Sequence, residues 1–301
     1  MIQRALEKAL PLFTGFMLLG SGGQGAVYEV YDGSLGVRVA LKVCWHDPNT
    51  EALHRTRDRF YREFDLLCRA RTCENVVSVF RRDAAMSADG RQVLLWYTME
   101  RCQNAVSSRL DRLDLASRVA AARQLVRAVA HLGAQGIAHR DIKPQNLFLV
   151  RAPPEGPLML KLGDFGIARS TISGDELART LTGKGTVQGT GRYLPPEVLD
   201  SAGYDPLLGD QYTTGLVVYE LLSQGAMPFG EGPSNLLGLL RLKANGVYQP
   251  VALPDFDGHT EPVDRVLRRM THPTPRERYR NMGEAERALQ SALLMSDLVA
   301  G

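Results

Sequence analysis

The stretch from Ala138 to Gly166 constrains this chain more than any other. It reads AHRDIKPQNLFLV, then a connector rich in proline and glycine, then LMLKLGDFG. Two carboxylates (Asp141, Asp164), an amide (Asn146) and a cation (Lys143) fall on turns beside short apolar runs. Phe148–Val150 and Leu158–Leu162 read as strands, and Arg151–Pro157 reads as the hairpin turn between them. Strands of this kind hold polar loop residues still at one end of a sheet. The residue types suit one task, which is to ligate a hard divalent cation through oxygen, orient a hydroxyl and offset phosphate charge.

The chain has 301 residues, 44% of them apolar, enough for one large or two small domains. A net charge of +3 argues neither for nor against nucleic acid, and no such partner is expected. The four cysteines, Cys44, Cys68, Cys73 and Cys102, form no CxxC pair, so neither zinc nor a disulfide framework is expected. Reduced thiols fit a cytosolic setting. MIQRALEKALPLF is interrupted by Arg4, Glu7 and Lys8 and does not read as a signal peptide. No run reaches the roughly 18 apolar residues that span a bilayer. A cytoplasmic location without a membrane span is therefore the expectation.

Taken in order, Ile2, Leu6, Ala9 and Leu10 lie at helical spacing and predict a short flanking helix. Phe16–Gly20 reads as a strand. Gly20, Gly22 and Gly25 in GSGGQGAVYEV then fit GxGxxG, a spacing that lets backbone amides approach phosphates. The motif alone is weak. In a dinucleotide-binding unit a helix follows it, whereas Ala26–Tyr31 alternates and reads as a strand. VRVALKVCW places Lys42 in an apolar strand. His46–Thr56 is polar and reads as a loop. Phe60, Glu63, Phe64 and Leu67 then share one helix face. A carboxylate on an apolar face needs a partner, and Lys42 is the natural one. Val76–Phe80 and Val93–Met99 read as two further strands. Beyond Cys102 the composition turns helical, with helices expected over Leu115–Leu132, from Asp210 onward, and over Pro233–Gly246, Val263–Met270 and Met282–Leu298. Asp210 is expected to cap the helix it opens.

HRDxKPxN followed by DFG, downstream of the glycine loop and VALK, resembles the catalytic core of a protein kinase of the Ser/Thr type. The likeness runs from Phe16 to Leu294 and is closest to bacterial kinases of the eukaryotic (Hanks) type. It implies an α+β, bilobal protein-kinase fold: a small antiparallel five-stranded β lobe with one helix, and a larger, mainly helical lobe. It divides the chain into a flanking helix (1–15), a kinase domain (16–295, with lobes 16–102 and 103–295) and a tail (296–301).

The resemblance also implies roles. Asp141 is the catalytic carboxylate and Lys143 neutralises the moving phosphoryl group. Lys42, held by Glu63, grips the α- and β-phosphates of ATP. Asn146 and Asp164 hold Mg²⁺, with Mn²⁺ as the other option. Leu19, Gly20, Ser21, Gly22, Gly23, Gln24, Gly25 and Ala26 cover the phosphates. Val27, Ala40, Met99 and Leu147 enclose the adenine, with Glu100 and Cys102 at the hinge. Arg140 and Arg169 are placed to hold a phosphate on Thr180, Thr182 or Thr186. Thr190 contacts Asp141 and Lys143, Glu197 pairs with Arg278, and Asp210 braces the catalytic loop. Pro195-Pro196-Glu197 stands where the family has Ala-Pro-Glu, and Tyr212 stands where it has tryptophan. The implied partners are protein substrates with Ser or Thr acceptors and, for autophosphorylation, a second copy of the chain. Two other readings are weighed against an active kinase. One is a pseudokinase scaffold, which would normally lack Lys42, Asp141 or Asp164. The other is a small-molecule phosphotransferase, which would lack the segment Gly189–Glu197.

Overall fold

Strand alternation shapes the first of two units, residues 1–103, and helix burial the second, residues 104–301. The computed structural model describes residues 2–22, 25–46, 51–87, 90–102, 105–151, 156–165, 189–199, 203–230, 232–233, 235–254 and 256–298.

The first unit holds α1 (Ile2–Ala9), β1 (Phe13–Gly22), β2 (Gly25–Asp32), β3 (Val37–His46), α2 (Glu51–Arg69), β4 (Val79–Met86) and β5 (Val93–Met99). The five strands form one antiparallel sheet in the order β1-β2-β3-β5-β4. Its two faces separate the odd from the even residues of β3. Val39, Leu41 and Val43 join Tyr28, Val30, Leu94 and Trp96 in one apolar cluster, which Leu6 and Leu10 of the α1 segment complete. Ala40 and Lys42 face the other way, opposite Met99 and Tyr97 in the register, and α2 covers that face by packing Phe60 and Phe64 on Leu95 and Tyr97.

Leu6 is fully buried in the first cluster, so α1 is part of the core of this unit. Leu6→Ala is expected to lower stability by about 3 kcal/mol, the usual cost of a cavity of that size, as read from a urea unfolding curve. An unchanged midpoint would show that the helix is only loosely attached.

Several expected boundaries move, among them the start of β1, which is Phe13 rather than Phe16, and two have a clear physical reason. Helix α2 begins at Glu51, within the stretch expected to be a loop. EALHRT contains good helix formers but no apolar stripe, so periodicity could not find it. Strand β4 begins at Val79 rather than Val76 and continues through RRDAAM. It lies at the sheet edge, where exposed polar residues are tolerated and the apolar signal fades.

The second unit holds α3 (Leu115–Ala134), the β6 (Leu147–Arg151) and β7 (Leu158–Leu162) hairpin, α4 (Pro206–Leu222), α5 (Leu236–Asn245), α6 (Glu261–Met270) and α7 (Met282–Met295). Asp114 caps α3 by accepting the Ser117 amide at 2.8 Å. Helix α4 is buried along nearly its whole length, as its continuous apolar run requires. The expectation that Asp210 caps it is corrected. The cap is Asp205, which accepts the Leu207 amide at 2.8 Å and is followed by Pro206 in the first turn. Asp210 lies inside the helix, one turn on, with its carboxylate free for another task.

Candidate active site

The loop after α3 is built around Asp210. Its two carboxylate oxygens accept the main-chain amides of His139 (2.5 Å) and Arg140 (2.8 Å). Arg140 has a φ of 66°, a left-handed conformation that costs a non-glycine residue about 1 kcal/mol or more. The two charge-assisted bonds to Asp210 hold the backbone in that shape. Burial pushes the Asp210 carboxyl up to about 7, against the downward pull of the same two amides.

The turn presents Asp141. Its Oδ2 accepts Lys143 Nζ at 2.7 Å and Asn146 Nδ2 at 3.0 Å. The Asn146 amide nitrogen also donates to the Asp141 carbonyl at 2.8 Å. With its nitrogen committed to Asp141, the side chain leaves Oδ1 as the atom that could hold a metal. Asp164 adjoins through the main chain, since the Gly163 amide bonds Asn146 O at 3.0 Å. Asp164 also takes a left-handed φ, 58°. One amide oxygen and one carboxylate suit a hard cation that takes its remaining ligands from phosphate and water. The sequence pattern thus brings Asp141, Lys143 and Asn146 into direct contact and places Asp164 beside them.

His139 is fully buried against Phe165, with ring centres 4.6 Å apart. The Asp141 amide donates to its Nδ1 at 3.3 Å, so Nε2 carries the hydrogen, which points at Gly163 O, 3.2 Å away. A second ring proton would confront the Asp141 N–H. Desolvation accordingly lowers the ring's pKa to about 4. The unfolded chain therefore binds a proton here below about pH 6.5 that the folded chain refuses until about pH 4. Stability is expected to fall as pH drops through that window. His139→Asn should flatten this part of a plot of thermal midpoint against pH. An equal slope in the variant would place the ring's titration elsewhere.

The first unit contributes a separate set of groups. Lys42 Nζ donates to both carboxylate oxygens of Glu63, at 2.9 and 2.8 Å, and both residues are about 5% exposed or less. Phe60, Glu63, Phe64 and Leu67 are all buried, as their spacing on one helix face requires. Val27 pairs with Lys42 across β2 and β3, so Val27, Ala40, Lys42 and Met99 share one face of the sheet. Leu147, by contrast, begins β6 in the second unit and is fully buried. Leu19 is exposed on β1. Gly20, Ser21 and Gly22 pair with Val27, Ala26 and Gly25 at the end of the β1–β2 hairpin. A Cβ would meet nothing within 4 Å at Gly20 or Gly22. Gly25 is glycine for a different reason: its φ is +119° and a Cβ there would lie 2.1 Å from the Val43 carbonyl oxygen. Glu100 is tied to Ser78, whose amide reaches Glu100 Oε1 at 2.7 Å, and Cys102 is half-buried.

A sequence profile of the protein kinase domain matches residues 13–293. The chain belongs to the protein kinase family. It is 31% identical over 287 residues to the serine/threonine-protein kinase Pkn1 of Myxococcus xanthus, covering 91% of this chain and 37% of that protein. It is 31% identical over 290 residues to the serine/threonine-protein kinase PknJ of Mycobacterium tuberculosis, covering 94% of this chain and 46% of that protein. It is 34% identical over 243 residues to the DNA damage-responsive serine/threonine-protein kinase RqkA of Deinococcus radiodurans, covering 79% of this chain and 32% of that protein. The chain spans less than half the length of these relatives. Family membership implies ATP and a divalent metal. Among the described residues no helix is long and apolar enough to cross a membrane.

The rest of the kinase domain's expected site falls into two groups. Gly23, Gln24, Arg169, Thr180, Thr182 and Thr186 lie outside the described residues, as does the side chain of Thr190, whose backbone forms part of a 3₁₀ turn over Gly189–Tyr193. Glu197 and Arg278 do meet. Arg278 is fully buried and grips both carboxylate oxygens, at 2.6 and 2.8 Å. Its guanidinium lies 4.8 Å from the centre of the ring of Tyr212, the residue for which the resemblance implies tryptophan in the family. Two polar residues escaped the sequence reading. Asp205 could have been found from Asp-Pro at a helix start. Lys243 could have been found from its place after Leu236, Leu239 and Leu240 on one helix face, the logic that picked out Glu63.

Proposed function

We propose that this domain transfers the γ-phosphoryl group of ATP to Ser or Thr hydroxyls of proteins. The observation that carries the reading is the Asp141 cluster: a buried carboxylate held by Lys143 and Asn146, on a loop whose strained backbone is pinned by Asp210. Phosphoryl transfer needs alignment and charge neutralisation more than covalent help. Asp141 accepts a hydrogen bond from the acceptor hydroxyl and takes its proton late. Lys143, on the same carboxylate, moves toward the phosphoryl group as negative charge develops. Asn146 Oδ1 and the Asp164 carboxylate would hold Mg²⁺, which supplies charge neutralisation between the phosphates when bound; Mn²⁺ suits the same oxygens.

Lys42, fixed by Glu63, binds the α- and β-phosphates, and Gly20–Ala26 cover them. Val27, Ala40, Met99 and Leu147 line the adenine position, with Glu100 and Cys102 along its polar edge. Residues 189–197 form the platform for the protein acceptor, where Thr190 favours a Ser or Thr hydroxyl. Arg140 and Arg169 would hold a phosphate on Thr180, Thr182 or Thr186, added by a second copy of the chain. All the charged groups that the chemistry needs are present, which supports an active enzyme over a scaffold.

The test is incubation of the purified chain with labelled ATP, Mg²⁺ and a general acceptor protein, followed by mass spectrometry. Label on Ser or Thr is the expected result. Tight ATP binding with no label on any protein would overturn the reading in favour of a scaffold.

A further inference from the structure

Lys243 is a buried lysine whose ammonium bonds to main-chain oxygens. It lies on the inward face of α5 with Leu236, Leu239 and Leu240, and only 2% of it is exposed. Among the described residues no carboxylate comes within ion-pair distance of it. Its Nζ donates instead to two main-chain carbonyls, Arg192 O at 2.6 Å and Leu194 O at 2.7 Å. The same ammonium lies 5.8 Å from the centre of the Tyr212 ring. Burial, reinforced by the Arg192 charge, brings its pKa down to about 7. An apolar side chain of the same length would avoid this desolvation, so the two carbonyl bonds are what the lysine adds.

Those bonds fall on a short segment held from below at every carbonyl. Arg192 O and Leu194 O are taken by Lys243, and Tyr193 O between them lies 3.0 Å from Thr213 Oγ1, whose one hydrogen it shares with Gly209 O at the same distance. The Tyr193 hydroxyl is anchored as well, donating to Glu220 Oε2 at 2.8 Å. Thr213 and Glu220 belong to α4, so α5 reaches this segment's backbone through Lys243. Three consecutive carbonyls turned toward the helices fix which way the intervening amides and side chains face.

We propose that Lys243 is a positioning residue for the protein acceptor. By holding the carbonyls of Arg192 and Leu194 it sets the shape of the main chain on which an acceptor peptide lies. The proposal rests on the reading of residues 189–197 as the acceptor platform and names what holds that platform in place.

The test uses the full chain and a fluorescent peptide copying its own residues 176–190, which include Thr180, Thr182 and Thr186. Peptide affinity is measured by anisotropy with a non-hydrolysable ATP analogue present, and KM values are measured with ATP. Lys243→Met is expected to weaken peptide binding, and raise the peptide KM, about tenfold, while the KM for ATP stays within twofold. A purely structural role would lower activity without this split. Should Lys243→Met fail to fold, Lys243→Gln keeps an amide donor and is expected to show a smaller rise in the same direction. Unchanged peptide affinity in the folded variant overturns the proposal, as does a parallel loss of ATP affinity or a wild type that binds no peptide. Peptide binding without turnover in the wild type would count against the proposed activity alone, and the affinity comparison would still decide the role of Lys243.

Discussion

Asp141→Asn is expected to lower the rate of phosphoryl transfer about a thousandfold, within the usual range for losing a positioned proton acceptor. The substitution changes little else. Asparagine has the same shape, and its Oδ1 can still accept from either Lys143 or Asn146. As a neutral amide it holds the two donors, which share one oxygen in the wild type, less strongly than an anion does, and it cannot take the proton of an acceptor hydroxyl. The nucleotide-binding groups proposed above do not include Asp141, so ATP affinity should stay within about twofold. Single-turnover rates with labelled ATP measure the first quantity, and a fluorescent nucleotide titration the second. A variant that keeps more than about a tenth of the wild-type rate would remove Asp141 from the chemistry. A variant that loses ATP binding and folding together would show that the carboxylate is structural.

Arg278→Ala is expected to cost about 3 to 5 kcal/mol of stability, the range for removing one partner of a buried ion pair. The guanidinium does more than neutralise Glu197. It also donates to His272 O at 2.8 Å and Leu208 O at 2.9 Å, so the loop before α7 and the first turn of α4 both depend on it. Alanine would leave a half-buried carboxylate and at least two carbonyls without these donors. For a unit of this size the thermal midpoint should fall by about 10 °C. Arg278→Lys is expected to recover little of this, because an ammonium cannot reproduce the planar fork. A fall of less than about 3 °C in the alanine variant would mean that the pair is replaced by water at little cost.

Residues close in the chain were the easiest to place. Asp141, Lys143 and Asn146 sit within one loop, and their types and spacing already specify the contact that the structure shows. The β6–β7 hairpin follows from two apolar runs at the right separation. Strands β2, β3 and β5 and the buried face of α2 follow from residue alternation and helical spacing, because burial on one face imprints a period on the sequence. Where burial is weak, that imprint fades. The start of α2 at Glu51 and the edge strand β4 were misplaced for this reason.

The sequence by itself determined the family, the five-stranded sheet, the catalytic loop and the Lys42–Glu63 pair. Each of these depends on local pattern, or on a buried charge that demands a partner. The family resemblance implied that Asp210 braces the catalytic loop, but only the tertiary structure decided which atoms it holds and that it is not the helix cap. Asp205-Pro206 is a local sign of the cap, but nothing local shows that Asp210, one turn on, is held by two amides about 70 residues away in the chain. The same holds for Lys243, whose two acceptors are main-chain carbonyls about 50 positions earlier. Every residue except proline carries the same backbone donor and acceptor, so a bond to the backbone leaves no mark on its partner's identity. Such contacts become visible only when the chain is folded.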